Sequence, residues 1–378
     1  MKTKLLLGAL AVLGLAACSK SEIVEINKSE EISLGAVTGK NITKAADGYC
    51  NNSMPNDFDV WAATDGKKYF EAEKYTLVSG TTYKSASARY WPETAVDFFA
   101  AKNYGSSATL TETIGATKLD VSGFEVTTTV AAQKDFIYAV NKGVSKPSDG
   151  AAATLNFRHA LSQIEFQAKN ENTKIHVEIS GLTIKNVYSK GNFSVADATS
   201  NNYVEHNHGE TPDSDSRTGR CTWDGQATPV DYSLSFSTAV DLKNGDSADL
   251  SVTDPSGKEY NDKTMYLIPQ TVANPWGGTG APASDQAYFL LTAKIYNVAG
   301  TEVNKSTDVV LHDGQIAVPI PTGTTWVDGL RYVYTFNFTT YGTGGVDPGT
   351  GSPVLTPISL TVTVDDFVDA GNTDVDVK

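Results

Sequence analysis

Apolar and polar residues alternate with a period of two along much of this chain. Leu330, Tyr332, Tyr334, Phe336 and Phe338 hold five apolar or aromatic side chains at strict spacing. Ile358, Leu360, Val362 and Val364 face one way against Ser359, Thr361 and Thr363. Three shorter runs repeat the pattern: Ile164, Phe166 and Ala168; Ile175, Val177 and Ile179; Tyr232, Leu234 and Phe236. Successive side chains of a strand point to opposite faces. Such alternation therefore predicts half-buried antiparallel strands, with one face on a core and one toward water. In the first half the predicted strands cover 32–37, 58–63, 96–101, 124–130 and 136–140. Clusters of Gly, Asn, Asp and Pro separate the runs, and no apolar period of 3.6 is sustained. The expected fold is all-β, built from sandwiches rather than βαβ units. The loop-like stretch 143–150 marks the domain boundary, giving one β-sandwich over 32–145 and a second over 146–378. Polar inserts at 197–219 and 341–353 interrupt the second, and the Gly- and Thr-rich composition of the latter predicts a linker before the last strand.

The first residues follow a different rule. Lys2 and Lys4 precede an apolar run from Leu5 to Leu15, and Ala16, Ala17 and Cys18 follow it. That layout predicts a signal peptide over 1–17. The run is shorter than the about 20 residues a membrane-spanning helix needs. Leu15-Ala16-Ala17-Cys18 resembles a bacterial lipobox, which makes Cys18 the lipidation site and the lipid on Cys18 the link to a membrane. Residues 18–31 read as a leash behind that anchor.

Composition narrows the partners. With 30 Lys and Arg against 44 Asp and Glu, the chain carries a net charge of −14. Removal of Lys2 and Lys4 makes it more negative still. Nucleic-acid binding depends on basic groups that displace counterions, so nucleic acid is not expected as a partner. The sequence contains no G-x-S-x-G elbow, H-E-x-x-H helix, P-loop or C-x-x-C pair. His206 and His208 lie in a polar insert with no matching cysteines, and Asp213 and Asp215 lack the final glutamate of a calcium loop. His159, between Phe157 and Leu161, reads as a packed, hydrogen-bonded residue. No enzyme, cofactor or metal is predicted. Trp61, Trp91, Trp223, Trp276 and Trp326 either stack on sugars at the surface or fill cores. Whether Cys50 and Cys221 pair is left open by their spacing.

Several local patterns, taken together, resemble the fimbrillin family, the subunits of type V pili, and especially its minor-fimbrillin-like branch. They are Thr43-Lys44-Ala45, Phe58-Asp59-Val60-Trp61, Tyr90-Trp91-Pro92, Val96-Asp97-Phe98-Phe99-Ala100 and Asp135-Phe136-Ile137-Tyr138-Ala139. Leu155-Asn156-Phe157-Arg158-His159-Ala160-Leu161-Ser162-Gln163-Ile164 is the strongest, and Leu267-Ile268-Pro269-Gln270 and Gly329-Leu330-Arg331-Tyr332-Val333-Tyr334 complete the series. The resemblance implies two tandem transthyretin-like β-sandwiches. It implies export as a lipoprotein to the cell outer membrane and assembly into a surface fimbrium by strand exchange with other pilus subunits. A protease would cut behind the first strand, and a neighbour's strand would fill the opened groove. The family's shaft subunits are cut after arginine, whereas the corresponding position here is Lys44, with Lys40 nearby. Either a protease of broader choice acts, or the uncut subunit is an anchor. Ile358, Leu360, Val362 and Val364 are the candidate donor strand. A host or glycan receptor completes the expected partners. The alternative reading is a surface glycan-binding lipoprotein of a nutrient-uptake system.

Overall fold

The computed structural model describes residues 30–38, 54–105, 108–113, 116–195, 221–251, 264–298, 304, 306–340, 344–354 and 358–366. Among them there is no α-helix. Two single 3-10 turns, Val130–Ala132 and Ser148–Gly150, are the only helical segments. The strands, in chain order, are β1 (Ser33–Thr38), β2 (Asp57–Thr64), β3 (Lys67–Ser79), β4 (Thr82–Ser85), β5 (Val96–Lys102), β6 (Ala108–Thr113) and β7 (Ala116–Glu125). There follow β8 (Ile137–Val144), β9 (Ala153–His159), β10 (Ser162–Asn170), β11 (Ile175–Val195), β12 (Thr222–Leu242), β13 (Ser247–Asp249) and β14 (Met265–Leu267). The last are β15 (Gln270–Thr271), β16 (Tyr288–Asn297), β17 (Val309–Pro319), β18 (Thr325–Trp326), β19 (Leu330–Phe338) and β20 (Ile358–Asp366).

The all-β expectation holds, and among the described residues the N-terminal strands form one closed sheet. They close into a barrel in the order β1-β4-β3-β2-β5-β8-β9. Closure rests on β1, which is antiparallel to β4 and parallel to β9. A closed sheet has no free edge to shield. Alternation within a strand carries no information about its partner, so this closure could not be read from the sequence pattern. The β2–β3 hairpin turns on Asp65 and Gly66, both at positive φ (50° and 71°). That is the two-residue geometry that Asp-Gly favours. Residues 143–150 span the end of β8 and most of its connection to β9, its neighbour in this barrel.

Two faces of the barrel wall are buried. Phe58, Val60, Phe98, Ile137 and Phe157 pack in an inner cluster with the side chains of β1. Trp61, Phe99, Phe136 and Tyr138 belong to a larger cluster shared with the rest of the molecule. That second core lies between two sheets. One has the order β13-β10-β19-β20, with β14 also on β10. The other has the order β17-β16-β11-β7-β6, with β12 along β11. Phe166 of β10 meets Phe289 of β16 edge-on, ring centroids 5.6 Å apart, and Phe289 meets Tyr334 of β19 at 4.8 Å. β6 and β7 lie between barrel strands in sequence but pair in this sheet, along the second half of β11.

Two strand expectations change. The predicted strand at 124–130 ends at Glu125, and Val130 instead opens a 3-10 turn. β19 is not half-exposed. It lies between β10, to which it is parallel, and β20, and Val333, Thr335 and Asn337 on its more polar side are also buried.

Candidate functional site: the first strand and its seat

β1 presents Ile32, just before it, together with Leu34 and Ala36 to the inside of the barrel. Their exposures are 0%, 0% and 1%. Phe58 forms the floor of this seat, with Tyr83 and Phe157 around it at centroid separations of 4.6 and 4.9 Å. Backbone pairing runs along both sides of the strand, Ser33 to Gly35 against β4 and Leu34 to Thr38 against β9. Beyond the ladders, Ile32 N donates to Arg89 O at 2.7 Å and Ala36 N donates to Thr81 O at 3.2 Å.

Charge fastens the beginning of the strand. Glu31 pairs with Lys84 at 2.6 Å and Glu30 with Lys146 at 3.2 Å. Arg89, whose carbonyl receives Ile32, is held by Glu73 at 2.5 Å and lies over the Phe70 ring. Burial raises the Glu73 carboxyl, but hydrogen bonds from Arg89 and Ser85 outweigh it and keep the group below the usual carboxylate range. Burial pushes the Tyr75 and Tyr83 phenols up, and Tyr83 donates to Pro55 O at 2.8 Å. The seat is therefore apolar inside and supported at its rim by neutral phenols and ion pairs.

The candidate donor strand stands elsewhere. Ile358, Leu360, Val362 and Val364 belong to β20, which pairs with β19 and forms the edge of its sheet. Ile358 is buried, Leu360 and Val364 are half-buried against the core, and Val362 is 44% exposed. β20 thus lies within its own chain and covers its apolar side chains incompletely. Cys18, Lys40, Lys44 and Cys50 fall outside the described residues. Cys221 is buried, and its backbone N–H donates to the Tyr138 hydroxyl oxygen at 2.9 Å.

One signal escapes a reading by strand periodicity alone. Ile32-Ser33-Leu34 at the start of β1 returns as Ile358-Ser359-Leu360 at the start of β20. Aligning the two sets Thr361 over Gly35 and Val362 over Ala36. A Cβ at Gly35 would come no closer than 3.8 Å to its nearest neighbour, Ala152 Cβ, which is ordinary contact. The Ala36 position is tighter, since the side chain there is 1% exposed.

The other sequence candidates resolve into packing. Trp61, Trp91, Trp276 and Trp326 are 0–3% exposed. Trp223 is half-buried, and its Nε1 donates to Ala160 O at 2.9 Å. None of the five lies in an exposed aromatic row. His159 Nδ1 is 2.8 Å from the fully buried Asp135 carboxylate, as expected of a packed residue. His206, His208, Asp213 and Asp215 lie outside the described residues.

A family model described as Fimbrillin-like matches residues 43–366. No curated protein matches the chain. Among solved structures, a fimbrial protein from Bacteroides vulgatus is similar at 14% identity, with a TM-score of 0.56, over 89% of this chain and 99% of that one. A fimbrial assembly protein from Parabacteroides distasonis is 11% identical over 89% and 98%, with a TM-score of 0.36. The tip fimbrial protein Mfa3 from Porphyromonas gingivalis, with a C-terminal truncation, is 9% identical over 88% and 99%, with a TM-score of 0.37. At these identities the first similarity speaks for a shared fold.

Proposed function

The chain belongs to the Fimbrillin-like family, and on that premise we propose that it is a structural and adhesive subunit of a bacterial surface fimbria, exported as a lipoprotein and joined to its neighbours by strand exchange. The observation that carries the proposal is the seat of β1. One short strand at the beginning of the fold closes the barrel, and its Ile32 and Leu34 fill the interior. Burying such side chains contributes about 1.5–3 kcal/mol each. A barrel that lost β1 would expose an apolar groove flanked by the unpaired backbone of β4 and β9. That groove is unstable alone and complementary to another strand.

The occupant proposed is β20 of a second copy. The shared Ile-Ser-Leu supports a register in which Ile358 takes the place of Ile32 and Leu360 that of Leu34. Val362, exposed at a sheet edge in the free subunit, would be covered on docking. In this reading Cys18 carries the lipid that holds the precursor to the outer membrane. Proteolysis after Lys44, or at Lys40, frees β1, and partners are other pilus subunits together with a host or glycan receptor. Two transthyretin-like domains are proposed, the first built around the barrel, which draws β9 (Ala153–His159) from beyond residue 145, and the second around the two-sheet core. The role is non-enzymatic. The alternative glycan-binding lipoprotein is less well supported, because four of the five tryptophans are buried and Trp223 is half-buried.

The deciding experiment is N-terminal sequencing of the protein recovered from assembled fibres. A start at Ala45 is expected. A start at Cys18 would rule out cleavage of this subunit and assign it to the anchor.

A further inference from the structure

A second group of side chains stands apart from the seat of β1. His176 and Glu178 are two residues apart on β11 and so share one face of the sheet. Asp241 of β12 lies directly across from Glu178. One donor atom from each of the three lies within 4.8 Å of the others. Val177 and Ile179, between and beyond them, turn to the opposite face and into the core. His176 faces away from that core, yet it is only 1% exposed. Its Nε2 contacts Asp241 Oδ1, while its Nδ1 is buried with no hydrogen-bond partner among the described residues. The Asp241 side chain is 50% exposed, so the cluster has a protein floor and a side open to water.

The surroundings hold the donors in place. The Tyr296 hydroxyl donates to Glu178 Oε2 at 2.9 Å, and the Tyr296 ring packs against the imidazole with centroids 5.7 Å apart. Outer partners of this kind orient the ligands of metal sites. Lys294, the residue across from Glu178 on β16, is engaged by Asp313 at 3.0 Å.

The geometry points to a divalent transition-metal site formed by His176, Glu178 and Asp241. One imidazole nitrogen and two carboxylate oxygens suit zinc or manganese, whereas calcium and magnesium take oxygen ligands. A doubly positive ion offsets both carboxylates, and water reaches the remaining positions past Asp241. The ion ties β11 to β12 next to the irregularity between Ile179 and Gly181, where their register shifts. Its role is to pin this hairpin. Spacing along the chain could not reveal the site, because the third donor comes from a different strand. A hydrogen-bonded His-Asp pair beside a glutamate would have the same outline without an ion, and titration separates the two.

The test uses the full chain, stripped with a chelator and titrated with zinc, manganese or calcium chloride while heat of binding and thermal unfolding are followed. One equivalent of zinc or manganese should bind and raise the unfolding temperature, and calcium should do neither. Asp241→Asn, a half-exposed and nearly isosteric change, should weaken binding roughly tenfold or more with the circular dichroism spectrum unchanged. Joint replacement His206→Ala and His208→Ala should bind as the parent does. The site is overturned if neither ion binds stoichiometrically, if Asp241→Asn binds as tightly as the parent, or if binding is lost with His206 and His208 instead.

Discussion

At the residue scale, the seat of β1 depends on few side chains. Leu34 is fully buried and has Tyr83 beside it across the strand pair. Leu34→Ala removes buried methyl groups and leaves a cavity, a loss of about 2–5 kcal/mol. Urea unfolding should register it as a lower midpoint with an unchanged slope. Glu73 acts differently, through Arg89 and the carbonyl that receives Ile32. Its folded carboxyl binds a proton less readily than the unfolded one. The stability it contributes is therefore complete above the ordinary glutamate range and is lost as pH falls through the folded value. Glu73→Gln should destabilise the chain at pH 7, and the gap from the parent should close on acidification. Unfolding midpoints measured from pH 7 down to 3 check this, and a gap that is independent of pH would count against the ion pair.

At the element scale, the proposed donor role of β20 can be tested apart from folding. Truncation before Ile358, or Leu360→Asp with Val362→Asp, should abolish polymers of trimmed protein and leave the barrel folded. Electron microscopy and circular dichroism report the two outcomes. The register adds a sharper expectation. Val362 would sit where Ala36 now sits, and overfilling a packed site costs about 1–3 kcal/mol. A peptide of residues 358–366 carrying Val362→Ala should therefore compete for the trimmed barrel better than the native peptide. β20 also shows what the sequence can and cannot convey. Its alternation, like that of β10 and β19, was legible from spacing alone. Which strands adjoin was not, because β1 and β9 are far apart in the chain and nothing in either names the other. Burial on both faces was hidden as well. Thr335 and Asn337 look like a solvent face by residue type but are covered because β19 is central. Val60 and Trp61 are consecutive in β2, and both are fully buried because the barrel wall has a core on each side. The candidate site was half legible: β1 appeared as a strand, while its closing role required the parallel pairing with β9.

At the scale of the whole molecule, the strand that closes the barrel is also the one that follows the proposed lipid anchor in the chain. Cys18→Ser should leave the precursor without lipid and release it from the membrane fraction, and a variant that fractionates as the parent does would refute the anchor. The two-sided pairing of β1 has a mechanical consequence. Its ladders to β4 and β9 lie across the strand axis. Tension applied along that axis loads every rung of both ladders together, in shear, whereas peeling from one end breaks them one after another. A neighbour's strand seated the same way, as proposed, would inherit this geometry. The proposed joint between subunits would then resist a pull along the fibre far better than a sideways tug, which is the direction of strength a filament under flow requires.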